Sequence, residues 1–442
     1  MKPVRIALAL IIAGLASLGP DDPTARAGVA LFALAGTLWL TEAISLTYTA
    51  LLIPLLGVAL GLADVSKALA GFAHPVIGLF LGGFALAAAL SAHGIDRWLA
   101  NRLMRVARGH ALGAAVLLAL ATSLLSMWIS NTAAAAMMLP IALGLSVPLA
   151  AKYPRYQIFV LLGLAWGANI GGIATLVGSP PNAFTAAALG WGFDDWLKIG
   201  MPVYALLFPL ALVVLWLTVK PEQDLPNVRN GEAISFPKHR AALLTVAIFL
   251  LTVSIWVFGK PLAELLGISK DFDTWVALLA IALLGVTGTL EWQQIEKQSN
   301  WGVLLLFGGG ITLSTLMQSS GASAWMAGGI SQILPAEHPW LLYLLVALFV
   351  VYLTELVSNT ASAALLVPLF MPVAVAVGAS PVVTAAIIGV AASCAFMLPV
   401  ATPPNALVFG TGCIPQREMI RAGMRLNIVA TFLIAGLMMS LL

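Results

Sequence analysis

Long apolar runs separated by short polar or basic stretches make up nearly the whole chain. A membrane-spanning helix needs about 20 mostly apolar residues. Two apolar blocks, near 111–150 and 340–377, are each long enough for a pair of helices. The other runs predict about eleven spans, near residues 4–19, 28–47, 49–62, 75–94, 156–188, 199–218, 241–259, 273–290, 301–319, 381–410 and 422–441. The predicted fold is therefore an all-α, polytopic membrane protein.

Lysine and arginine residues collect in some loops and are nearly missing from others. Such residues mark the cytoplasmic side of a membrane protein. Eleven spans that start from an inside N-terminus place every basic cluster inside and the C-terminus outside. The clusters are Lys2 and Arg5; Arg97, Arg102, Arg105 and Arg108; Lys152 and Arg155; Lys220, Arg229, Lys238 and Arg240; and Arg417, Arg421 and Arg425. Lys198 is an exception on the predicted outer side, and the segment 260–272, with Lys260 and Lys270, fits least well.

In this topology each apolar block returns to the side of the membrane from which it starts. The block 111–150 begins and ends inside, and the block 340–377 begins and ends outside. A re-entrant hairpin and a complete pair of spans would both return the chain to the side from which it started. Hydropathy therefore leaves both structures open for each block.

Four short motifs occur twice, in the same order and at nearly the same separation. The pairs are "LFLGGFALAAAL" (79–90) with "LLFGGGITLSTL" (305–316), Gly94 with Gly321, Ser-Asn-Thr at 130–132 with Ser-Asn-Thr at 358–360, and "GSPPNA" (178–183) with "ATPPNA" (401–406). Because the charge pattern starts the two halves from opposite sides, the sequence predicts an inverted-topology repeat. Such repeats are typical of secondary transporters.

The composition excludes several other classes of protein. Of 442 residues, 61% are hydrophobic and 9% are charged, whereas soluble domains carry about a quarter charged residues. The net charge of +3 is small, and no clustered basic patch indicates nucleic-acid binding. The two cysteines, Cys394 and Cys413, are too few for a disulfide framework, and the five histidines have no metal-ligand spacing.

The double prolines predict breaks in two of the apolar runs. Pro180–Pro181 and Pro403–Pro404 fall inside the runs 156–188 and 381–410, and proline interrupts a helix because it lacks an N–H group. Non-helical backbone persists in a membrane only where it is buried in protein or lines a wet cavity. The freed carbonyl groups can bind small cations, and the freed N–H groups can bind anions.

The Ser-Asn-Thr triplets supply matching side-chain chemistry. Their hydroxyl and amide oxygens suit an alkali cation rather than zinc or copper. A single triplet before an apolar run commonly acts as a helix N-cap, but a pair in equivalent positions of a repeat indicates a binding site. No lysine or arginine lies within the four motifs. Since a dianion is costly to bury without counter-charge, an anionic substrate would require co-bound cations.

These residues resemble the divalent anion–sodium symporter (DASS) family, the INDY-type di- and tricarboxylate transporters. The likeness rests on paired Ser-Asn-Thr triplets, each followed by a Pro-Pro-Asn helix break, and runs from about residue 35 to the C-terminus. The stretch "WLTEAISLTYTALLIPLLG" (39–57) is similar to an early signature of the family, with Ser45 where proline is common.

The resemblance implies a homodimer with scaffold and transport domains, in which the two blocks are opposed re-entrant hairpins that meet near the midplane. It implies sodium-coupled symport of C4-dicarboxylates by an elevator mechanism in a plasma membrane, most simply a bacterial inner membrane. The expected divisions are N-terminal scaffold helices (1–74), a first repeat core (75–218), a central loop with scaffold helices (219–300) and a second repeat core (301–442).

The family's site residues map onto both halves of the repeat. The implied first sodium site comprises Ser126, Ser130, Asn131 and the backbone of Gly178. The implied second site comprises Thr354, Ser358, Asn359 and the backbone of Ala401. The implied substrate contacts are Asn131, Thr132, Ser179, Asn359, Thr360, Thr402 and Pro403. Independently of the resemblance, Ser126 and Thr354 precede their triplets by one helical turn, so their hydroxyls can face the tips.

Glu355 breaks the symmetry, because its counterpart in the first half is Met127. An ionisable residue at this depth is a functional candidate, although it can instead be a structural carboxylate that accepts loop N–H groups. Glu42, near a span end, is interpreted as structural.

Four alternatives to sodium symport remain open at this stage. Relatives that exchange dicarboxylates without sodium, and relatives that carry sulfate or another inorganic dianion, suggest two further transport modes. An intramembrane enzyme would need a nucleophile–base pair or a metal cluster, neither of which is found in the sequence. A channel usually has charged rings or a repeated filter sequence, and paired antiparallel motifs fit alternating access better.

Overall fold

The computed structural model describes residues 2–107, 109–227, 234–268, 270–332 and 339–442, and every regular element in these ranges is helical. The first half contains α1 (Lys2–Ala16), α2 (Pro23–Thr41), α3 (Leu46–Ala59), α4 (Val65–Ala70), α5 (Pro75–Ala92), α6 (Ile95–Val106), α7 (Ala111–Ser126), α8 (Asn131–Ser146), α9 (Pro154–Gly171), α10 (Pro180–Leu189) and α11 (Phe193–Val219). The second half contains α12 (Arg240–Phe258), α13 (Lys260–Leu266), α14 (Phe272–Val286), α15 (Trp292–Gln298), α16 (Trp301–Ser319), α17 (Ala322–Ser331), α18 (Pro339–Leu353), α19 (Asn359–Ala376), α20 (Pro381–Ala391), α21 (Pro403–Gly410) and α22 (Gln416–Leu441). Arg108 and Arg229, two members of the predicted basic clusters, lie outside the described residues.

The predicted class of fold is confirmed. Eight helical stretches in the described part of the chain are long and apolar enough to cross a membrane, and five shorter apolar helices accompany them. The protein is therefore a multi-pass, all-helical membrane protein. Each apolar block forms a helical hairpin, α7–α8 in the first half and α18–α19 in the second. Whether the hairpins are re-entrant stays a prediction.

Some helix bounds differ from the apolar runs because capping residues, rather than hydropathy, fix them. The span expected at 199–218 begins at Phe193, where the Gly192 N–H donates to the Asp195 carboxylate. The span expected at 28–47 instead ends at Thr41, and Glu42 follows it in a left-handed backbone conformation. At Phe193 the polar residues of the capped helix start lower the apolar average, so the predicted span begins too late. At Thr41 the apolar residues beyond Glu42 extend the predicted span past the end of the helix.

Several short helices have no counterpart among the predicted spans, because they are too short or too polar for a hydropathy signal. The most informative are α6 and α17, which follow the matched glycines of the repeat. Gly94 and Gly321 both have positive φ, of 67° and 77°, and each precedes its helix directly. Glycine adopts this conformation without the penalty that a side chain would carry. The repeat therefore extends to backbone conformation.

Helix α9 occupies the centre of the first half and is buried on every side. It packs closely against α7 through glycine. A Cβ atom at Gly171 would lie 2.2 Å from Ser123 O, and one at Gly167 would lie 2.6 Å from Ala119 O. Small residues of this kind allow helix backbones in membranes to approach closely. This contact brings the end of α9 beside the tip of the first hairpin.

Candidate functional site

The Ser-Asn-Thr triplets lie at the tips of the two hairpins. Residues 127–130 join α7 to α8, and residues 354–358 join α18 to α19. Ser130 and Ser358 are N-cap residues, and Ser130 Oγ accepts a hydrogen bond from the Ala133 N–H at 3.3 Å. The first N–H groups of α8 and α19 are therefore directed toward the tips.

The first tip is attached to the end of α9. Ser126 Oγ lies 2.6 Å from Asn131 Oδ1 across the tip and 2.6 Å from Ala168 O on α9. Gly172 makes this approach possible, because a Cβ atom at that position would lie 2.4 Å from Asn131 Oδ1. The Ser126 hydroxyl thus faces the tip, as its spacing predicts.

The second tip repeats this arrangement with equivalent residues. Thr354 Oγ1 lies 2.6 Å from Asn359 Oδ1 and 2.9 Å from Ala392 O, the carbonyl that follows α20. Thr354 is fully buried, as is Ser126. Each tip therefore places one hydroxyl between an amide oxygen and a backbone carbonyl oxygen.

A hydroxyl carries one proton, so Ser126 and Thr354 can each donate to only one of the two oxygens beside them. The other contact in each set brings two oxygen lone pairs together, which is favourable when a cation lies between them. Hydroxyl, amide and backbone oxygens are ligands that suit a hard monovalent cation. The residues at both tips therefore fit sodium.

The two predicted helix breaks are present, and each double proline begins the helix after its break. Proline is well suited to this position, because the first N–H group of a helix has no partner within the helix. In the first break, Asn182 Nδ2 donates to Gly172 O at 2.8 Å and to Thr175 O at 2.7 Å. The asparagine of the Pro-Pro-Asn motif thus fixes the irregular backbone that precedes it.

The second break has the same support. Asn405 Nδ2 donates to Ala395 O at 3.1 Å and to Leu398 O at 3.0 Å. These acceptors occupy the positions that Gly172 and Thr175 occupy in the first break. The two breaks are therefore equivalent in structure as well as in sequence.

Buried polar side chains join the two breaks to each other. Asn169 Nδ2, near the end of α9, lies 3.1 Å from Thr402 Oγ1 and 3.2 Å from Asn405 Oδ1. Ser179 Oγ lies 3.2 Å from Ser393 Oγ. Since each tip is attached to the helix end beside one break, these contacts connect the two tips through the protein interior.

The residues predicted to bind substrate differ in exposure. Thr132 and Pro403 are exposed, Asn131, Asn359 and Thr360 are partly buried, and Ser179 and Thr402 are only 3% and 4% exposed. Ser179 and Thr402 use their hydroxyls in the contacts between the breaks. The triplets therefore present accessible polar groups, and the two break residues lie behind them.

The backbone groups predicted to bind sodium lie within the breaks. The Gly178 N–H donates to Thr175 O at 3.3 Å, and the Ala401 N–H donates to Leu398 O at 3.2 Å. The carbonyls that contact the tip hydroxyls are instead those of Ala168 and Ala392, which the sequence did not suggest.

A cavity of about 550 Å³ lies against the first tip. Ser130, Gly178 and Pro180 line it on one side, and Arg97 and Asn300 line it on another. The sequence places the segments of Arg97 and Asn300 on the cytoplasmic side. The cavity therefore connects the first tip with residues predicted to lie inside the cell.

Glu355 supports the second break. Its carboxylate accepts hydrogen bonds from the N–H groups of Phe396 (2.7 Å), Met397 (2.8 Å) and Leu398 (2.8 Å), and from Asn427 Nδ2 at 2.8 Å. The residue is 1% exposed. This geometry is that of a structural carboxylate which binds loop N–H groups.

Ion pairs account for two of the three lysines that fit the charge pattern poorly. Lys198 Nζ lies 3.1 Å from Asp194 Oδ2 and 2.8 Å from Asp195 Oδ1, and Lys260 Nζ lies 2.7 Å from Asp194 Oδ2. Both positive charges are compensated locally, so they add little to the charge difference between the two sides. Asp194 is on α11 and Lys260 begins α13, so their pair also links two separate elements.

Sequence reasoning missed several residues of this region. Asn169 and Ser393 carry the contacts between the halves, and Asn427 on α22 binds Glu355. An ungapped alignment of the two breaks pairs Asn169 with Ala392, so the correspondence of Asn169 with Ser393 is not visible in the sequence. Asn427 has no sequence signal either, because its role depends on a helix from another part of the fold.

The fold and the paired tips define a membrane transporter built from an internal repeat. A family model described as citrate transporter matches residues 37–389 and 274–442. The chain belongs to this family, and its membership of the divalent anion–sodium symporter group is confirmed.

Individual relatives agree with this membership. An uncharacterized transporter of Haemophilus influenzae is 48% identical over 424 residues, which cover 94% of this chain and 92% of the relative. The sodium-dependent dicarboxylate transporter SdcS of Staphylococcus saprophyticus is 30% identical, with coverage of 96% and 88%. The solved YdaH transporter of Alcanivorax borkumensis has a similar fold, with a TM-score of 0.54, 16% identity and coverage of 84% and 85%. These proteins are transporters rather than enzymes.

Proposed function

We propose that the protein is a secondary active transporter that couples sodium to the symport of C4-dicarboxylates such as succinate, malate or fumarate. The observation that carries the proposal is the matched set of oxygens at each tip, with Ser126 beside Asn131 and Thr354 beside Asn359. The relative SdcS, named for sodium-dependent dicarboxylate transport, supports the same choice.

The proposed ligands are distributed over the tips and the breaks. Sodium binds Ser126, Ser130, Asn131 and the Gly178 backbone in the first half, and Thr354, Ser358, Asn359 and the Ala401 backbone in the second. The substrate carboxylates contact Asn131, Thr132, Ser179, Asn359, Thr360, Thr402 and Pro403. The helix N-termini at the tips favour anions, and the bound sodium ions offset the charge of the dianion.

Transport proceeds by an elevator movement of a transport domain, which contains the hairpins and breaks, against a scaffold in a homodimer. The cavity beside Ser130 gives the first tip a path toward Arg97 and Asn300, on the predicted cytoplasmic side. The described conformation is thus assigned as inward-facing. The Asp194–Lys260 pair, on the predicted outer side, holds α11 of the transport domain to α13 of the scaffold.

The first prediction concerns the driving ion. Labelled succinate should accumulate in proteoliposomes under an inward sodium gradient, and uptake should fall to the level of protein-free liposomes when choline replaces sodium. Equal uptake in both salts would contradict symport, and sodium-independent counterflow would indicate exchange. Competition by unlabelled fumarate, citrate and sulfate identifies the preferred anion, and sulfate as the strongest competitor would overturn the dicarboxylate assignment.

The second prediction concerns the Asp194–Lys260 ion pair on the predicted outer side. Lys260→Gln should raise the outward-facing population, because the proposed elevator movement of α11 against α13 would break this contact. A partly exposed pair contributes up to about 1 kcal/mol, which corresponds to about a fivefold change in the population ratio. Lys67→Gln is the matched control, since Lys67 pairs with Asp64 three residues away, whereas Lys198 shares Asp194 Oδ2 with Lys260.

The populations can be measured by outside labelling of Ala133→Cys, beside the first tip, with a membrane-impermeant reagent. Cys413→Ser removes the background thiol that is partly exposed, and Cys394 is buried. Labelling that responds equally to Lys260→Gln and Lys67→Gln would contradict an ion-pair contact that holds the two domains together.

A further inference from the structure

The contacts between the two breaks are related by the same repeat that relates the tips. Asn169 follows Ala168, and Ser393 follows Ala392, where Ala168 and Ala392 are the carbonyl partners of the tip hydroxyls. Asn169 and Ser393 are therefore equivalent relative to the tips, with a shift of one residue relative to the breaks. Each side chain reaches across to the break of the other half.

In the second break, an amide nitrogen occupies the centre of a group of oxygens. Asn169 Nδ2 lies 3.2 Å from Ala395 O, 3.1 Å from Thr402 Oγ1 and 3.2 Å from Asn405 Oδ1. A backbone carbonyl, a hydroxyl and an amide oxygen thus converge on one positively polarised nitrogen. The side chains of Asn169, Thr402 and Asn405 are at least 96% buried, and Ala395, which contributes a backbone carbonyl, is fully buried.

The equivalent oxygens of the first break are those of Gly172, Ser179 and Asn182. The residue that faces them is Ser393, whose shorter side chain contacts only the hydroxyl, at 3.2 Å from Ser179 Oγ. Asn182 is fully buried, and its Oδ1 has no hydrogen-bond partner in the described ranges. The first break therefore has oxygens equivalent to those of the second break, but the residue that faces them, Ser393, has no amide nitrogen like Asn169 Nδ2.

We propose that Gly172 O, Ser179 Oγ, Asn182 Oδ1 and Ser393 Oγ form a further binding site for a monovalent cation, distinct from the oxygen sets at the two tips. Two carbonyl-type oxygens and two hydroxyls without a carboxylate match the ligand preference of sodium. The cation takes the position that the Asn169 amide nitrogen takes in the other half. This assignment rests on the proposed function for the identity of the ion.

The position of the site couples the cation to the substrate. Ser179 is one of the proposed substrate contacts, so a cation bound to its oxygen lies directly behind the carboxylate-binding surface. Binding of the cation would orient the Ser179 hydroxyl and add positive charge close to the dianion. The site should therefore act in transport and not only in stabilising the fold.

The decisive variant is Ser393→Asn, which introduces into the first half the amide nitrogen that the second half already has. Binding of ²²Na⁺ to the purified full-length protein should show one sodium ion fewer per subunit than in the unaltered chain. Ser393→Ala removes one ligand but adds no nitrogen, so it should retain the ion with about tenfold weaker affinity. Ser146→Ala, which removes a buried hydroxyl that donates to Ala142 O within α8, is the control and should bind sodium normally.

The binding measurements distinguish failure of the additional cation site from failure of the proposed function. If Ser393→Asn binds the same number of sodium ions with the same affinity, a buried water fills the position and the inference is wrong, while the tip sites and the proposed function stand. If the unaltered chain binds no sodium, the proposed function itself fails and the inference with it. Should Ser393→Asn not fold, the affinity of Ser393→Ala decides: a tenfold loss supports the site, and an unchanged value overturns it.

Discussion

Asn131→Ala and Asn359→Ala should each lower sodium-driven succinate uptake by at least about 100-fold. Either change removes an amide oxygen that lies 2.6 Å from a buried hydroxyl, and it also removes an amide donor at the tip of a hairpin. A hydrogen bond to a charged partner contributes about 1.5–3 kcal/mol, and 1.4 kcal/mol corresponds to a tenfold change in binding. The loss of one contact to sodium and one to the substrate accounts for the expected effect.

The two variants should also behave alike, because the repeat gives the asparagines the same surroundings. Ser126 contacts both Asn131 Oδ1 and Ala168 O, as Thr354 contacts both Asn359 Oδ1 and Ala392 O. Loss of activity in only one variant would indicate that a single tip carries the chemistry, and the two-tip mechanism would then be wrong.

The control for this pair is Ser146→Ala, at the far end of α8. Its hydroxyl is buried and donates to Ala142 O within the same helix, so it tests the general effect of a buried polar deletion in a hairpin. Initial uptake rates should be compared at equal amounts of folded protein, determined by size-exclusion chromatography. Uptake by Asn131→Ala within a factor of three of Ser146→Ala would contradict a role of the amide in binding.

The parts of the fold that repeat in sequence could be predicted before the structure was considered. The triplets and double prolines identified both hairpin tips and both breaks, because asparagine, hydroxyl and proline chemistry is unusual inside an apolar run. Gly94 and Gly321 marked two matched turns. The predictions succeeded where a single short motif determines its own local structure.

The remaining features depend on partners from distant segments, which hydropathy and short motifs do not encode. Ala168 and Ala392 act through backbone carbonyls, so their residue type carries no signal. Helix α6 is too polar for a span, although it lines the cavity beside the first tip. Lys260 fitted the charge rule poorly because its pairing with Asp194 depends on tertiary structure, whereas Lys198 pairs with acids on its own helix.

Glu355→Ala should be among the most destabilising single changes in the protein. The carboxylate is the acceptor for three consecutive backbone N–H groups, those of Phe396, Met397 and Leu398, and for the Asn427 amide. Its removal leaves all four donors without this acceptor in a buried region. A buried donor left without its acceptor costs about 1–3 kcal/mol, and since four donors lose one here, thermal unfolding in detergent should record a loss of at least about 3 kcal/mol.

Glu355→Gln separates the structural role from a role in proton or ion transfer. Glutamine keeps one acceptor oxygen but turns an NH₂ group toward backbone donors. If the role of Glu355 is structural, Glu355→Gln should therefore also be destabilised, but by less than Glu355→Ala. A stable Glu355→Gln protein with impaired transport would instead assign the carboxylate to transport. Glu42→Gln is the control, because Glu42 is exposed at the end of α2 and its loss should change the free energy of unfolding by less than about 0.5 kcal/mol.

The structural role of Glu355 also explains why the repeat is asymmetric at this position. The second break requires a buried carboxylate to accept its N–H groups. In the first break the equivalent residue is Met127, and its backbone carbonyl accepts the Thr175 hydroxyl instead.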